Sequence, residues 1–92
     1  MDLRAYVKTL DDDDRELLAR RCGTSWGHLR NCGYGQKPLA PAVCAQVERW
    51  TLGAVTVEET RPDMVWVRVV DPSWPDPRGR PAVDVSRSVA TA

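Results

Sequence analysis

The stretch that most constrains the fold of this 92-residue chain runs from residue 15 to residue 34 and reads RELLARRCGTSWGHLRNCGY. Leu18 and Cys22 stand four residues apart and therefore share one face of a helix. Gly23 follows this apolar pair, at a point where the chain usually turns through positive φ, which glycine adopts without steric penalty. Ser25 belongs to the residue types preferred as helix N-caps. The stretch therefore predicts two short helices joined by a tight turn.

The second of these helices is predicted to keep a polar outer surface. Leu29 and Cys32 supply its inward face, and the small Ala19 permits a close crossing of the two helices. The residues that remain outside or near the edge are Trp26, Gly27, His28, Arg30 and Asn31. Such residues can contact bases or phosphates, and an α-helix fits the major groove of DNA. The pattern is typical of a DNA-binding helix-turn-helix whose recognition helix spans about residues 26–32.

This arrangement resembles the helix-turn-helix domains of bacteriophage Cro and repressor proteins, most closely the YdaS-like (Cro-related) regulators of prophages. The likeness covers roughly residues 3 to 63, including RAYVKTL before the motif and YGQKP and PAVCAQVERWTLGAVTVEETRPD after it. It departs at Ala40, where a capping side chain would be expected. The resemblance implies a mainly α fold of four to five helices and a regulator that binds an operator in double-stranded DNA.

Further helices are predicted on both sides of the motif. An apolar stripe at positions i, i+3, i+4 and i+7 predicts a first helix that lies over the motif, formed by Leu3, Tyr6, Val7 and Leu10. A similar stripe after the motif predicts a helix that completes the core, formed by Val43, Val47 and Trp50, with Pro41 in its first turn and Gly53 at its end. Thr56 and Glu59 have the spacing of a capping box and predict a last short helix, which Pro62 limits. We therefore expect the helical DNA-binding domain to span residues 1–63.

The last third of the chain has the residue preferences of β-strands. MVWVRVV and PAVDVS are rich in β-branched residues and are separated by DPSWPDPRGR, which is rich in proline. This pattern predicts a C-terminal β-hairpin extension over residues 64–86, followed by a disordered tail over residues 87–92. Because an isolated hairpin is only marginally stable, the face with Val65, Val67 and Val69, or the opposite face with Trp66, must pack on something. The hairpin either caps its own core or joins two subunits into a homodimer that reads a palindromic operator.

The chain carries no net charge, with 13 basic and 13 acidic residues, but the charges are unevenly distributed. Residues 1–14 hold two basic and five acidic residues, residues 15–49 hold six and two, and the remainder holds five and six. The positive segment is the one that contains the motif, and phosphate contact needs local charge. The predicted DNA-contacting residues are Arg15, Ser25, Trp26, Gly27, His28, Arg30, Asn31, Tyr34 and Lys37.

Individual roles can be assigned to three residues of this set. Arginine suits guanine and asparagine suits adenine through paired hydrogen bonds, so Arg30 and Asn31 are candidates for base reading, with phosphate or solvent contact as the alternative. Trp26 either packs back on the domain or contacts a sugar-phosphate or a thymine methyl group.

Neither a metal site nor an active site is predicted. The run from Asp11 to Asp14 is explained by a helix start, where Asp11 caps and the following carboxylates meet the positive end of the helix dipole. Three cysteines and His28 match a zinc ligand set in number, but no Cys-x2-Cys pair is present, and Cys22, Cys32 and Cys44 fall at apolar helical positions typical of core thiols. With one histidine and no accessible nucleophile, we expect a protein that is not an enzyme and uses no cofactor.

No apolar stretch of about 18 residues is present, and the first residues, Met-Asp-Leu-Arg, lack the apolar run of a secretory signal. We therefore expect a cytoplasmic, nucleoid-associated protein that does not bind membranes. Two functional hypotheses follow from the sequence. The first is a phage-type transcriptional regulator, expected to repress a promoter. The second is a protein-interaction module, such as an antitoxin that binds its toxin through the C-terminal hairpin.

Overall fold

The computed structural model describes residues 1–35 and 37–84. Five helices are followed by a two-stranded antiparallel sheet. The elements are α1 (Leu3–Val7), α2 (Asp12–Arg21), α3 (Trp26–Gly33), α4 (Pro41–Trp50), α5 (Val57–Thr60), β1 (Trp66–Val69) and β2 (Arg80–Val83). The predicted mainly α fold with a C-terminal hairpin is confirmed. Within the described ranges, no helix has both the length and the apolar character that crossing a membrane requires.

The helix boundaries follow from local capping. Asp11 accepts a hydrogen bond from the Asp14 backbone N–H at 2.8 Å and begins α2, and Ser25 accepts one from the His28 N–H at 3.2 Å and begins α3. Between them Gly23 has a φ of 77° and turns the chain. α4 begins at Ala40 without a side-chain cap, as expected, but has a proline in its first turn. The aspartate run is therefore a helix start, as predicted.

The core lies where α2, α3 and α4 meet. Its buried apolar residues come from every helix and three connecting segments and comprise Leu3, Val7, Leu18, Ala19, Cys22, Leu29, Leu39, Cys44, Val47, Val55 and Val57. The predicted inward position of Cys32 is found, since this half-buried thiol packs against the core. One prediction about the core is wrong. Trp50 is exposed, and the guanidinium carbons of Arg21 and Arg49 lie 5.3 and 5.1 Å from the centroid of its ring.

Trp50 was predicted to be buried, but Glu48 is the residue buried on the inward face of α4 instead. The buried residues of α4 are Cys44, Val47 and Glu48, so the inward face includes a charged residue that an apolar pattern passes over. The indole of Trp50 instead donates a hydrogen bond to Gln46 Oε1 at 3.0 Å on the surface.

The hairpin packs on the helices through one face of β1. Val69 pairs with Arg80 and Trp66 with Val83, and the strand alternates so that Trp66 and Arg68 face inward while Val67 remains exposed. The Trp66 indole donates to the Arg61 carbonyl oxygen at 3.0 Å. Of the two packing alternatives, the Trp66 face therefore lies on the protein's own helices. The predicted strand residues 85–86 and the predicted tail 87–92 fall outside the described residues.

A buried ion pair joins the hairpin to α4. Glu48 is completely buried, and its carboxylate accepts hydrogen bonds from Arg68 at 2.7 and 2.8 Å, from the Trp74 indole at 2.6 Å and from the Val57 backbone N–H at 3.2 Å. Arg68 also donates to Glu58 at 2.6 Å. Burial opposes ionisation of Glu58, but the hydrogen bond from Arg68, a backbone hydrogen bond and the charges of Arg68 and Arg78 together outweigh it and lower the pKa of Glu58. The hairpin is thus fixed by a compensated buried charge.

Candidate nucleic-acid interface

The recognition helix predicted from the sequence is α3, and its position is set by one buried residue and one cap. Leu29 is 1% exposed and anchors α3 in the core, while Ser25 fixes its start. Gly27 and Arg30 lie on the exposed side, and a Cβ atom added at Gly27 would meet no atom within 4 Å. The outer surface of α3 is therefore open to a ligand that approaches its backbone closely.

A cleft of about 330 Å³ lies between α1, the start of α2 and the exposed side of α3. We call it the basic cleft. Four cations and two aromatic rings line it: Arg4, Lys8, Arg15, Arg30, Trp26 and Tyr34. The guanidinium carbon of Arg4 lies 4.5 Å from the centroid of the Tyr34 ring, and that of Arg15 lies 5.5 Å from the Trp26 ring. The rings restrict the positions of two of the four cations.

Arg15 is held mainly by the protein itself. Its Nε donates to the Val7 carbonyl oxygen at 2.9 Å, and its Nη1 lies 3.4 Å from Asp12 Oδ1. Trp26 lies beneath it, half-buried and packed against the core. Arg15 therefore ties α1 to α2 and covers Trp26, which leaves only part of its guanidinium for an external ligand. Of the alternatives for Trp26, the structure places the ring mainly against the domain.

Three other predicted residues, His28, Asn31 and Lys37, do not line the basic cleft. His28 and Asn31 are half-buried on α3, and His28 Nε2 lies 3.7 Å from the Cys32 sulfur. Lys37 is exposed in a second depression, which shares Arg4 with the basic cleft and is also lined by Cys32 and Leu39. Burial raises the pKa of the Cys32 thiol, and the charge of Lys37 partly offsets this. The structure thus brings Arg15, Trp26, Arg30 and Tyr34 together but places Lys37 elsewhere.

Two cations of the basic cleft, Arg4 and Lys8, were not predicted from the sequence. They stand at i and i+4 and both are exposed. The sequence signal that could have found them is this spacing, on the side of α1 opposite its apolar stripe. It was hidden because the aspartate run makes the first 14 residues acidic as a group.

No metal-binding group emerges from the side chains in residues 1–35 and 37–84: nowhere there do three or more histidine, cysteine, aspartate or glutamate side chains come together. His28 and Cys32 are neighbours, but Cys22 and Cys44 are buried in the core. Burial raises the pKa of the Cys22 thiol to about 11, so this sulfur is held in its protonated form at neutral pH.

The fold and the exposed α3 define a small helix-turn-helix protein. A prophage transcriptional regulatory protein of Escherichia coli (strain K12) is 31% identical to this chain over 62 residues, which cover 67% of the chain and 94% of that protein. The chain therefore belongs to the family of prophage transcriptional regulatory proteins, and the predicted resemblance to prophage regulators is confirmed. No family model and no solved structure matches the sequence.

Proposed function

We propose that this transcriptional regulator binds a specific operator in double-stranded DNA by inserting α3 into the major groove, and that it acts as a repressor. The observation that supports this most directly is the combination of an open α3 surface with the adjoining basic cleft. A helix in the major groove brings its exposed side chains to base edges and its neighbouring elements to the phosphates.

Arg30 is the residue best suited to read a base. It is exposed in the middle of α3, one turn after the open position at Gly27. Its guanidinium can donate two hydrogen bonds to guanine O6 and N7. Asn31 is half-buried on the neighbouring side of the helix and is proposed to accompany it as a reader of adenine. Occupation of an operator that overlaps a promoter would exclude the polymerase and repress transcription.

The experiment that tests this proposal is selection from a library of random duplexes, followed by titration of the selected site and of a scrambled duplex. Arg30→Ala should weaken binding to the selected site by about 1–3 kcal/mol and change the scrambled duplex little. Arg49→Ala, which removes an exposed arginine beside Trp50 on α4, is the matched control and should affect neither. Equal losses of Arg30→Ala on both duplexes would contradict base reading, and failure of the wild type to retain any duplex would contradict DNA binding.

We further propose that the regulator is a homodimer formed through the outer face of the hairpin. Val67, Val69 and Val70 are 40%, 42% and 90% exposed, so an apolar surface remains after the inner face has packed on the helices. A two-fold dimer would enrich a palindromic site with half-sites about one helical turn apart. The same surface favours the second candidate function, an antitoxin-like module that binds a protein partner such as a toxin. Sedimentation of the wild type and of Val69→Lys tests the dimer, because a lysine in this apolar surface should make a dimeric protein monomeric. A monomeric wild type that binds no palindrome would instead favour the protein partner.

A further inference from the structure

Two exposed cations, Arg4 on α1 and Lys8 at its C-cap, lie beside the exposed side of α3 without being part of the helix-turn-helix motif. Arg4 and Lys8 both line the basic cleft together with Arg30. The ring of Tyr34, which follows α3 and is 52% exposed, holds the Arg4 guanidinium at 4.5 Å. A side chain held in place by an aromatic ring loses less conformational entropy when it binds an anion. α1 thus adds a pre-positioned cationic edge to the surface around α3.

The start of α2 is poorly suited to the role that the first helix of such a motif usually has next to the DNA backbone. Asp11, Asp12, Asp13 and Asp14 form its N-cap and first turn, and all four are exposed. Asp11 already occupies the Asp14 backbone N–H, which a phosphate would otherwise bind. Four carboxylates repel phosphate groups, so backbone contacts must come from another element.

We infer that α1 performs this role: Arg4 and Lys8 bind phosphate oxygens of the DNA backbone that borders the groove entered by α3. This inference rests on the proposed DNA binding but does not depend on which bases α3 reads. Among the described residues that line the basic cleft, Asp12 is the one acid, and its carboxylate lies 3.4 Å from Arg15. The positive charge of Arg4, Lys8 and Arg30 therefore faces the ligand with little internal compensation.

The test compares two double variants that change the net charge equally. Arg4→Gln with Lys8→Gln removes the two proposed phosphate contacts. Arg21→Gln with Arg49→Gln is the control, because it also removes two exposed cations, both of which lie over the ring of Trp50. Each variant is titrated with the selected duplex and with a scrambled duplex at several salt concentrations, after circular dichroism has shown that its helix content equals that of the wild type.

The expected result is a change in salt dependence that is independent of sequence. Each lost phosphate contact flattens the slope of log K against log [salt] by about 0.9, so the α1 variant should differ from the wild type by about 1.8. Between 50 and 200 mM salt, the ratio of wild-type to variant affinity should then fall by about 12-fold. The control should keep the wild-type slope, and both proteins should select the same site.

Three results would overturn the inference. Equal flattening by the α1 variant and the control would show an effect of net charge alone. A wild-type slope in the α1 variant would exclude phosphate contacts by these residues, and a changed preferred site would make them base readers. In each of these cases the wild type still binds DNA, so the proposed function would stand. A wild type that binds neither duplex would instead refute the proposed function and this inference with it.

Discussion

Removing the guanidinium of Arg68 should destabilise this protein more than removing the carboxylate with which it pairs. Arg68→Met keeps a long unbranched side chain but leaves Glu48 fully buried with only the Trp74 indole and the Val57 N–H as donors among the hydrogen bonds described for its carboxylate. Breaking a buried ion pair from one side typically costs about 3–5 kcal/mol, since the remaining charge is uncompensated. A chain of this length has a total stability of about 5–14 kcal/mol, so much of it would be lost.

The converse change is milder because Arg68 has other anionic partners. After Glu48→Gln, Arg68 still lies 2.6 Å from Glu58 and 3.9 Å from Asp76. Its charge therefore stays compensated, and the cost should be about 1–3 kcal/mol, the value for weakened buried hydrogen bonds. Combining Glu48→Leu with Arg68→Met removes both charges and should recover much of the stability lost in Arg68→Met, because an apolar pair needs no compensation.

Urea denaturation at low temperature, followed by tryptophan fluorescence and far-ultraviolet circular dichroism, measures these differences. Arg80→Met is the matched control on the same hairpin, since Arg80 is exposed and its Nε lies 3.7 Å from Asp71. A surface pair of this kind contributes at most about 1 kcal/mol. The reasoning is refuted if Arg68→Met costs no more than Arg80→Met, or less than Glu48→Gln.

Three further predictions concern backbone, pH and thiols. Gly79→Ala should lower the melting temperature far more than Gly23→Ala, which costs about 1–2 kcal/mol of backbone strain. Only at Gly79 would the new Cβ lie 2.1 Å from a backbone carbonyl oxygen, that of Val69 in β1. Equal shifts of the melting temperature in the two variants would contradict this reasoning. Hydrogen bonds from Arg78 lower the pKa of Asp76 to about 2, so its stabilisation is complete above about pH 4 and is lost as the pH falls towards 2. Urea midpoints of Asp76→Asn should therefore change less than those of the wild type over this range, and parallel curves would exclude the effect. Alkylation of the folded protein with iodoacetamide should modify the half-buried Cys32 before the other two cysteines, a preference that mass spectrometry of peptides would show or disprove.

The parts of the fold that the sequence predicts well depend on short-range interactions. Asp11 and Ser25 begin their helices through hydrogen bonds to backbone groups three residues away, and Gly23 turns the chain through its own φ. The short α5 begins with the reverse bond over the same separation, in which the Thr56 backbone N–H donates to the Glu59 side chain at 3.0 Å. Such signals are complete within one turn of chain, so a single sequence is enough to locate them.

The interactions that the sequence did not predict join residues distant along the chain. Glu48 and Arg68 are 20 residues apart, and each alone has the pattern of a solvated side chain. The alternation in β1 offered two possible inner faces, one of valines and one with Trp66. The buried carboxylate on α4 selects the second, because it requires a cation and Arg68 stands on that face. The same requirement turns α4 so that Trp50 lies outside.

The candidate site shows the same division between local and distant information. Trp26, Arg30 and Tyr34 lie on or next to one helix, and their common surface follows from helical spacing. Arg4 and Lys8 reach that surface only because α1 packs beside α3, and Lys37 leaves it because the chain after α3 turns away to another depression. Spacing along the sequence therefore identified the residues that share the exposed surface of α3 but not all of the cations around that surface.

The electrostatic field of this chain follows from how its charges are paired rather than from their sum. Near the C-terminus, Arg61, Arg68 and Arg78 lie within 2.9 Å of carboxylates and compensate them locally. Arg4, Lys8 and Arg30 are exposed on the basic cleft and have no ion pair within the described part of the chain. The electrostatic potentials of paired opposite charges cancel each other within a Debye length, which is about 8 Å at physiological salt. The potential in the basic cleft therefore stays positive. The proposed DNA binding should therefore depend on short-range contacts of the cleft and α3, with little long-range attraction to DNA from a protein of zero net charge.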